Sequence, residues 1–148
     1  VNTPQRYETL LARLKERGHR LTPQRAAILR ALLEHPGHPS VEELHRQLLR
    51  EFPSMSLATV YKTIAFLKDQ GEVLELGFGE AGCRYDGRRP QAHPHLVCTR
   101  CGAIMDSPEG EDQALRTIIE QLADRAGFSL SHHRLDLFGL CPDCRKKA

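Results

Sequence analysis

The chain has 148 residues, 40% of them hydrophobic and 27% charged, with a formal net charge of +2. That length suits one ordinary domain or two small ones, and no window approaches the roughly 20 apolar residues needed to span a bilayer. Five cysteines with no visible export signal are expected to work in a reducing compartment, the cytoplasm, where cysteine pairs hold metal more often than they form disulfides.

The small net charge hides an uneven distribution. Residues 1–30 carry seven basic side chains (Arg6, Arg13, Lys15, Arg17, Arg20, Arg25 and Arg30) against two acids, Glu8 and Glu16. Such a basic stretch is expected either to face a polyanion or to form a solvated helix face.

Residues 4–17 read as a helix, with Leu10, Leu11 and Leu14 on one face and Gly18 as its stop. Thr22-Pro23 opens a second helix, Thr as N-cap and Pro in the first turn. Its apolar positions are Ala26, Ala27, Ile28, Leu29, Leu32 and Leu33, and His35-Pro36-Gly37-His38-Pro39 ends it. Ser40 and Glu43 form a capping box for a third helix that runs through Leu48 and stops at Phe52-Pro53. Ser56 caps a fourth, with Val60, Ile64 and Leu67 on one face and Gly71 as the stop. Two short strands are expected at 72–78 and 83–86, around Gly77, Gly79 and Gly82. Short helices followed by a β-hairpin outline a winged helix-turn-helix, in which the last helix before the wing enters the major groove.

Gly87-Arg88-Arg89-Pro90-Gln91 is polar and turn-rich and reads as a hinge. The expected organisation is a winged-helix domain over 1–86, a hinge over 87–91 and a second small domain over 92–148. In that second domain, strands are predicted at 95–98 and 103–106, and a helix at about 111–126 with Leu115, Ile118, Ile119 and Leu122 inward. Another strand is predicted from Leu130 to Leu140. The fold class is therefore α+β.

Cys98-Thr-Arg-Cys101 and Cys141-Pro-Asp-Cys144 are two C-x-x-C pairs, the pattern of a four-thiolate zinc site. The gap between them must hold a helix and a strand, so zinc would clip the two ends of a small domain. Four thiolates leave no position for water, which makes the site structural rather than catalytic. A pair of redox disulfides is the competing reading, and Cys83 reads as an ordinary strand residue.

A second set of donors is harder. His38, Asp86, His93, His95 and Asp106 offer three imidazoles and two carboxylates, which suit Fe(II), Mn(II) or Zn(II). By spacing alone only His93 and His95 stand out, because positions i and i+2 of a strand share a face. Taken alone, the other three read as polar loop residues rather than as ligands.

Several segments, taken in order, carry a resemblance. They are Leu21-Thr22-Pro23-Gln24-Arg25, Ser56-Leu57-Ala58-Thr59-Val60-Tyr61-Lys62, Arg84-Tyr85-Asp86, His93-Pro94-His95-Leu96-Val97-Cys98, Ser131-His132-His133-Arg134-Leu135 and Gly139-Leu140-Cys141-Pro142-Asp143-Cys144. Together they resemble the ferric uptake regulator family over nearly the whole chain. The resemblance implies an N-terminal winged helix, a C-terminal α/β dimerisation domain, and a homodimer on a palindromic double-stranded DNA operator. It implies a regulatory Fe(II) or Mn(II) on His38, Asp86, His93, His95 and Asp106, and a structural Zn(II) on Cys98, Cys101, Cys141 and Cys144. The DNA-facing residues it implies are Arg20, Thr22, Arg25, Ser56, Thr59, Tyr61 and Lys62.

Asp86, where iron sensors of the family usually place Glu, and the His-His-Arg-Leu run both resemble the peroxide-sensing branch. Pro94 between two ligand histidines departs from the pattern. Ala92 and Pro94 stand where some relatives carry further ligands, so a third metal site is not expected. The implied function is a repressor that senses peroxide through Fe(II), with chemistry beside His38 and His93. An iron or manganese uptake regulator answering metal level alone is the alternative. From a different class, a metal-dependent hydrolase would need an open coordination position and a general base. No H-E-x-x-H, nucleophile elbow or phosphate loop is present.

Overall fold

A computed structural model describes residues 2–77, 82–108, 110 and 112–147. The chain divides into two compact units, Val1–Pro90 and Gln91–Ala148.

The first unit contains α1 (Thr3–Glu16), α2 (Pro23–Glu34), α3 (Val41–Leu48), α4 (Leu57–Asp69), β1 (Leu74–Gly77) and β2 (Cys83–Asp86). Local chemistry sets the helix ends. Thr22 accepts the Arg25 N–H at 3.2 Å, and Ser56 accepts the Thr59 N–H at 3.1 Å. Ser40 and Glu43 complete the capping box in both directions, at 3.2 and 2.8 Å. Each such cap typically stabilises a helix by about 1 kcal/mol. At the other ends, Gly18 and Gly71 take the left-handed conformation, at φ 77° and 71°. Behind them, the His19 and Glu72 N–H groups reach back to the Leu14 and Leu67 carbonyls, closing a Schellman motif on α1 and on α4.

The four helices enclose one apolar core. Leu10 and Leu14 of α1 meet Ile28, Leu29, Leu32 and Leu33 of α2, Leu44 and Leu48 of α3, and Val60, Ile64 and Leu67 of α4. Leu11, predicted for the same face as Leu10, packs only at the margin. Strands β1 and β2 pair antiparallel from Leu74 opposite Asp86 to Gly77 opposite Cys83. The predicted first strand is thus shorter, since Glu72 and Val73 belong to the turn after α4. Its position 78, and Gly79, lie outside the described residues.

Part of the basic N-terminal stretch is tied to an acid within this unit. Glu72 is 2% exposed, and Arg13, Arg6 and Arg17 approach its carboxylate at 3.2, 3.5 and 3.7 Å. Arg6 also donates to the carbonyls of Gly87 (2.9 Å) and Glu72 (3.2 Å). Residues 87–89 are fastened to this unit as well. The Arg88 and Arg89 N–H groups donate to Asp86 Oδ1 at 2.7 and 3.0 Å, and Arg88 Nε donates to the Leu33 carbonyl at 2.9 Å. Gly87 lies so close to α2 that a Cβ would stand 2.9 Å from the Leu32 side chain.

The second unit contains β3 (His95–Cys98), β4 (Ile104–Asp106), α5 (Asp112–Arg125), β5 (Asp136–Gly139) and α6 (Pro142–Lys146). The sheet order is β4-β3-β5, with β4 antiparallel and β5 parallel to β3. The parallel pairing needs a long crossover, which α5 supplies. The strand predicted over 130–140 is regular only at Asp136–Gly139, because β3, its one partner, is four residues long. The short helix α6 was not predicted.

This unit is thinly packed. Leu115 and Ile119 of α5 are half-buried as expected, but Ile118 and Leu122 are 60% and 68% exposed. A three-stranded sheet of such short strands is too narrow to cover the whole apolar face of α5. Phe128, Leu137, Phe138 and Leu140 are exposed too.

Candidate metal centres and nucleic-acid interface

Strand β3 ends in Cys98, and the chain then turns tightly. The Gly102 N–H donates to the Cys98 carbonyl at 2.9 Å, with Gly102 at φ 71°. The parallel register sets Gly139 beside Cys98. Two residues on, Cys141 is the N-cap of α6 and its N–H points at Cys98 Sγ, 3.4 Å away. The four sulfurs of Cys98, Cys101, Cys141 and Cys144 lie within 4.8 Å of one another, with Cys101 and Cys141 3.7 Å apart.

All five cysteines are free thiols. A disulfide would bring sulfurs to about 2.05 Å. A tetrahedron with Zn–S bonds of about 2.3 Å has edges of about 3.8 Å, so the observed spacing fits zinc. The thiol chemistry fits as well. Backbone N–H groups of Cys141 and Cys101 pull Cys98 well below the ordinary thiol range, while hydrogen bonds with the neighbouring thiols push Cys144 up. Four crowded thiolates need a cation to stay charged together.

Each unit brings harder donors of its own together. In the first unit His38 lies two residues before the α3 cap. The Tyr85 N–H donates to the Pro39 carbonyl at 3.0 Å and so seats that loop against β2. His38 Nε2 then stands 3.6 Å from Asp86 Oδ2. Asp86 divides its oxygens: Oδ1 holds the 86–89 turn, and Oδ2 faces the histidine.

In the second unit the β3–β4 register sets His95 opposite Asp106. His93 Nε2 is 3.1 Å and His95 Nε2 3.8 Å from Asp106 Oδ1. Only His95 belongs to the strand, because β3 begins after Pro94, yet the two rings gather with centroids 4.4 Å apart. His93 Nδ1 lies 2.8 Å from the Gln91 carbonyl. A carbonyl only accepts, so Nδ1 carries a proton, and Nε2 is the ring atom turned to the Asp106 carboxylate. A proton or a metal ion can join that nitrogen to the carboxylate, and the backbone contact at Nδ1 orients the ring for either. Asp136, which the sequence did not single out, stands 3.8 Å behind His95 Nδ1. Only the parallel register brings it there.

The expected DNA-facing residues cluster at two helix starts. Thr22 caps α2, and Arg25 donates to the Arg20 carbonyl at 3.0 Å while stacking on Phe66, 5.0 Å from the ring centre. Ser56 and Thr59 share a hydrogen bond of 2.8 Å at the start of α4. Tyr61 and Lys62 are exposed on the next turn, as Arg20 is before α2. The Tyr61 hydroxyl donates to Glu42 at 2.5 Å. That bond holds the Glu42 carboxyl below its ordinary range and raises the phenol. Among the described residues, no helix is long and apolar enough to cross a membrane.

A winged-helix unit followed by a small α/β unit with a four-thiolate cluster and a separate nitrogen/oxygen donor set defines a class of metal-responsive regulator. The comparisons agree. The Ferric uptake regulator family matches over residues 16–138, and the chain belongs to that family. The peroxide operon regulator of Bacillus subtilis is 42% identical over 139 residues, 93% of this chain and 92% of that protein. The crystal structure of the Campylobacter jejuni peroxide stress regulator superposes with a TM-score of 0.70 at 36% identity, over 91% of this chain and 98% of the other. A zinc uptake regulator complexed with zinc and DNA superposes with a TM-score of 0.74 at 27% identity, over 99% and 97% of the two chains.

Proposed function

We propose that the chain is a cytoplasmic, metal-dependent DNA-binding repressor that senses peroxide through Fe(II), with Mn(II) as the peroxide-resistant occupant of the same site. The observation that carries it is the pair of nitrogen/oxygen donor sets, one in each unit, beside an all-thiolate cluster that suits structural zinc. Ligation by His38 and Asp86 together with His93, His95 and Asp106 would fix the angle between the two units. An effector shifts a conformation only by binding one form better, and donors split between two units meet that need.

In a homodimer the angle sets the distance between two α4 helices. Their half-sites must then lie about one helical turn apart, or a multiple of it, on a palindromic operator. The exposed Ile118, Leu122, Leu137 and Phe138 give the second unit the apolar surface that a second copy would cover. Arg20, Thr22, Arg25, Ser56, Thr59, Tyr61 and Lys62 would face the duplex. Ferrous iron, when bound, supplies the one-electron chemistry with which peroxide reacts, and Mn(II) does not. Imidazoles at His38 and His93 stand next to that chemistry, and an oxidised imidazole binds metal poorly.

The test is metal-resolved DNA binding. Zinc-containing protein loaded anaerobically with Fe(II) should leave DNA after brief peroxide, with one oxygen atom added to the peptide carrying His38 or His93. The Mn(II) form should stay bound. Histidine oxidation survives thiol reductants, whereas a cysteine disulfide would be reversed by them. If the iron form stays on DNA with its histidines unmodified, a regulator answering metal level alone replaces this reading. Turnover of phosphate or ester substrates by the metal-loaded chain would favour a hydrolase.

A further inference from the structure

Glu42 has no place in the switch or in the expected set of DNA contacts, yet it grips the most exposed aromatic side chain of α4. It occupies the first turn of α3, where its own backbone N–H helps to hold the carboxylate. A carboxylate at that end of a helix is favoured by the unpaired N–H groups there. Across the gap between α3 and α4 it accepts the Tyr61 hydroxyl at 2.5 Å, while the Tyr61 ring remains 44% exposed. A flexible exposed tyrosine would pay rotamer entropy on meeting a base edge, and this bond removes that cost in advance. The next residue of α3 does similar work for the wing: Glu43 caps the helix and pairs with Arg84 of β2.

We propose that Glu42 is a specificity-determining positioning residue, which fixes the Tyr61 ring for base contact and itself touches no DNA. This rests on the assignment of α4 as the DNA-facing helix. A negative charge beside a phosphate backbone lowers affinity for DNA of any sequence, so its presence trades general affinity for discrimination. Removing it should therefore have opposite effects on the two kinds of DNA.

Manganese-loaded wild type would be used to enrich its preferred duplex from a random-sequence pool, and a scrambled duplex of equal length would serve as reference. Glu42→Ala should lower the ratio of preferred to scrambled affinity about tenfold, the scale of one lost base contact, without weakening binding to the scrambled duplex. Tyr61→Phe should lower the ratio equally, and the double variant should lose no more than either single one, because the two side chains act as a unit. Glu42→Gln, which keeps an acceptor oxygen, should retain most of the discrimination. Carbon-13 titration of the tyrosine rings reads the bond without DNA: the Tyr61 phenol should ionise at lower pH in Glu42→Ala than in wild type. An unchanged ratio in Glu42→Ala, losses that multiply in the double variant, or an unmoved Tyr61 titration would each overturn the proposal. A wild type that enriches no sequence would overturn the DNA-facing assignment, and this proposal with it.

Discussion

Glu72 is 2% exposed and faces three guanidiniums, two from α1 and one from its C-cap. Arg6 is itself half-buried, and burial lowers its pKa despite the partner carboxylate. Removing Glu72 would leave Arg6 buried without its acid. Breaking a buried pair from one side typically costs about 3–5 kcal/mol. Arg13 and Arg17 remain half in water, so Glu72→Ala should cost about 2–3 kcal/mol, read from thermal unfolding by circular dichroism. Indistinguishable melting would show that the cluster only decorates the surface. Glu43 adds a pH dependence. Burial alone would raise its carboxyl, but the Ser40 N–H and Arg84 outweigh it and the pKa is lowered. A carboxylate whose pKa is lower when folded contributes stability above its unfolded value of about 4.3 and loses it as pH falls through the folded value. The Glu43 side chain is more than a third exposed, so solvent screening keeps the effect small. Glu43→Gln should lower the urea midpoint at pH 7 and make it less sensitive to acid, and parallel pH profiles for the two proteins would refute the assignment.

At the scale of elements, α3 lies between the proposed metal donor His38 and the helix proposed to face DNA. His38 lies two residues before its cap, and the first turn supplies both Glu42 and Glu43. Ser40→Ala should cost about 1 kcal/mol, and it should also weaken metal-dependent DNA binding, because the His38 loop loses its anchor. Isotherms identical to wild type would show that loop and helix act independently. The helix boundaries were legible in the sequence because capping and Schellman motifs are local. Ser40 and Glu43 are three residues apart, and Gly71 directly follows the C-cap of α4. The limits of β5 were not legible, since a strand owes its limits to the strand beside it. Helix α6 is five residues long, too short for an apolar period to show. Asp136, Glu42 and Glu72 escaped notice for a related reason. Their partners are 41, 19 and 59 residues away, and no spacing rule reaches that far.

For the whole molecule, the two units stand on different supports. The first owns the apolar core, whereas the second buries little besides His93, Pro94, His95, Cys98 and Cys144 among the described residues. Small units of that kind lean on a metal or on a partner chain. Cys141→Ser should therefore remove about one zinc per chain and unfold the second unit while the four helices persist. A folded protein with unchanged zinc content would exclude a structural role for the cluster. Phe138→Asp should act differently. Zinc content should stay, but sedimentation velocity should show monomer, and DNA should remain free at concentrations where wild type saturates it. A stable dimer would move the contact away from this sheet face.

The arginines around Glu72 also set how strongly binding answers to ionic strength. Each phosphate that a basic side chain neutralises releases condensed counterions, and the logarithm of affinity falls with the logarithm of salt with a slope of about −0.9 per contact. Counting every cation in residues 1–30 would forecast a steep dependence. Arg6, Arg13 and Arg17 are engaged by Glu72, so they do not enter that count unless they first leave it. Arg20→Ala should flatten the slope by about 0.9 per chain, while Arg6→Gln should weaken the fold and leave the slope alone. The chain would then hold its operator across a wider range of cellular salt than its basic N-terminal stretch implies.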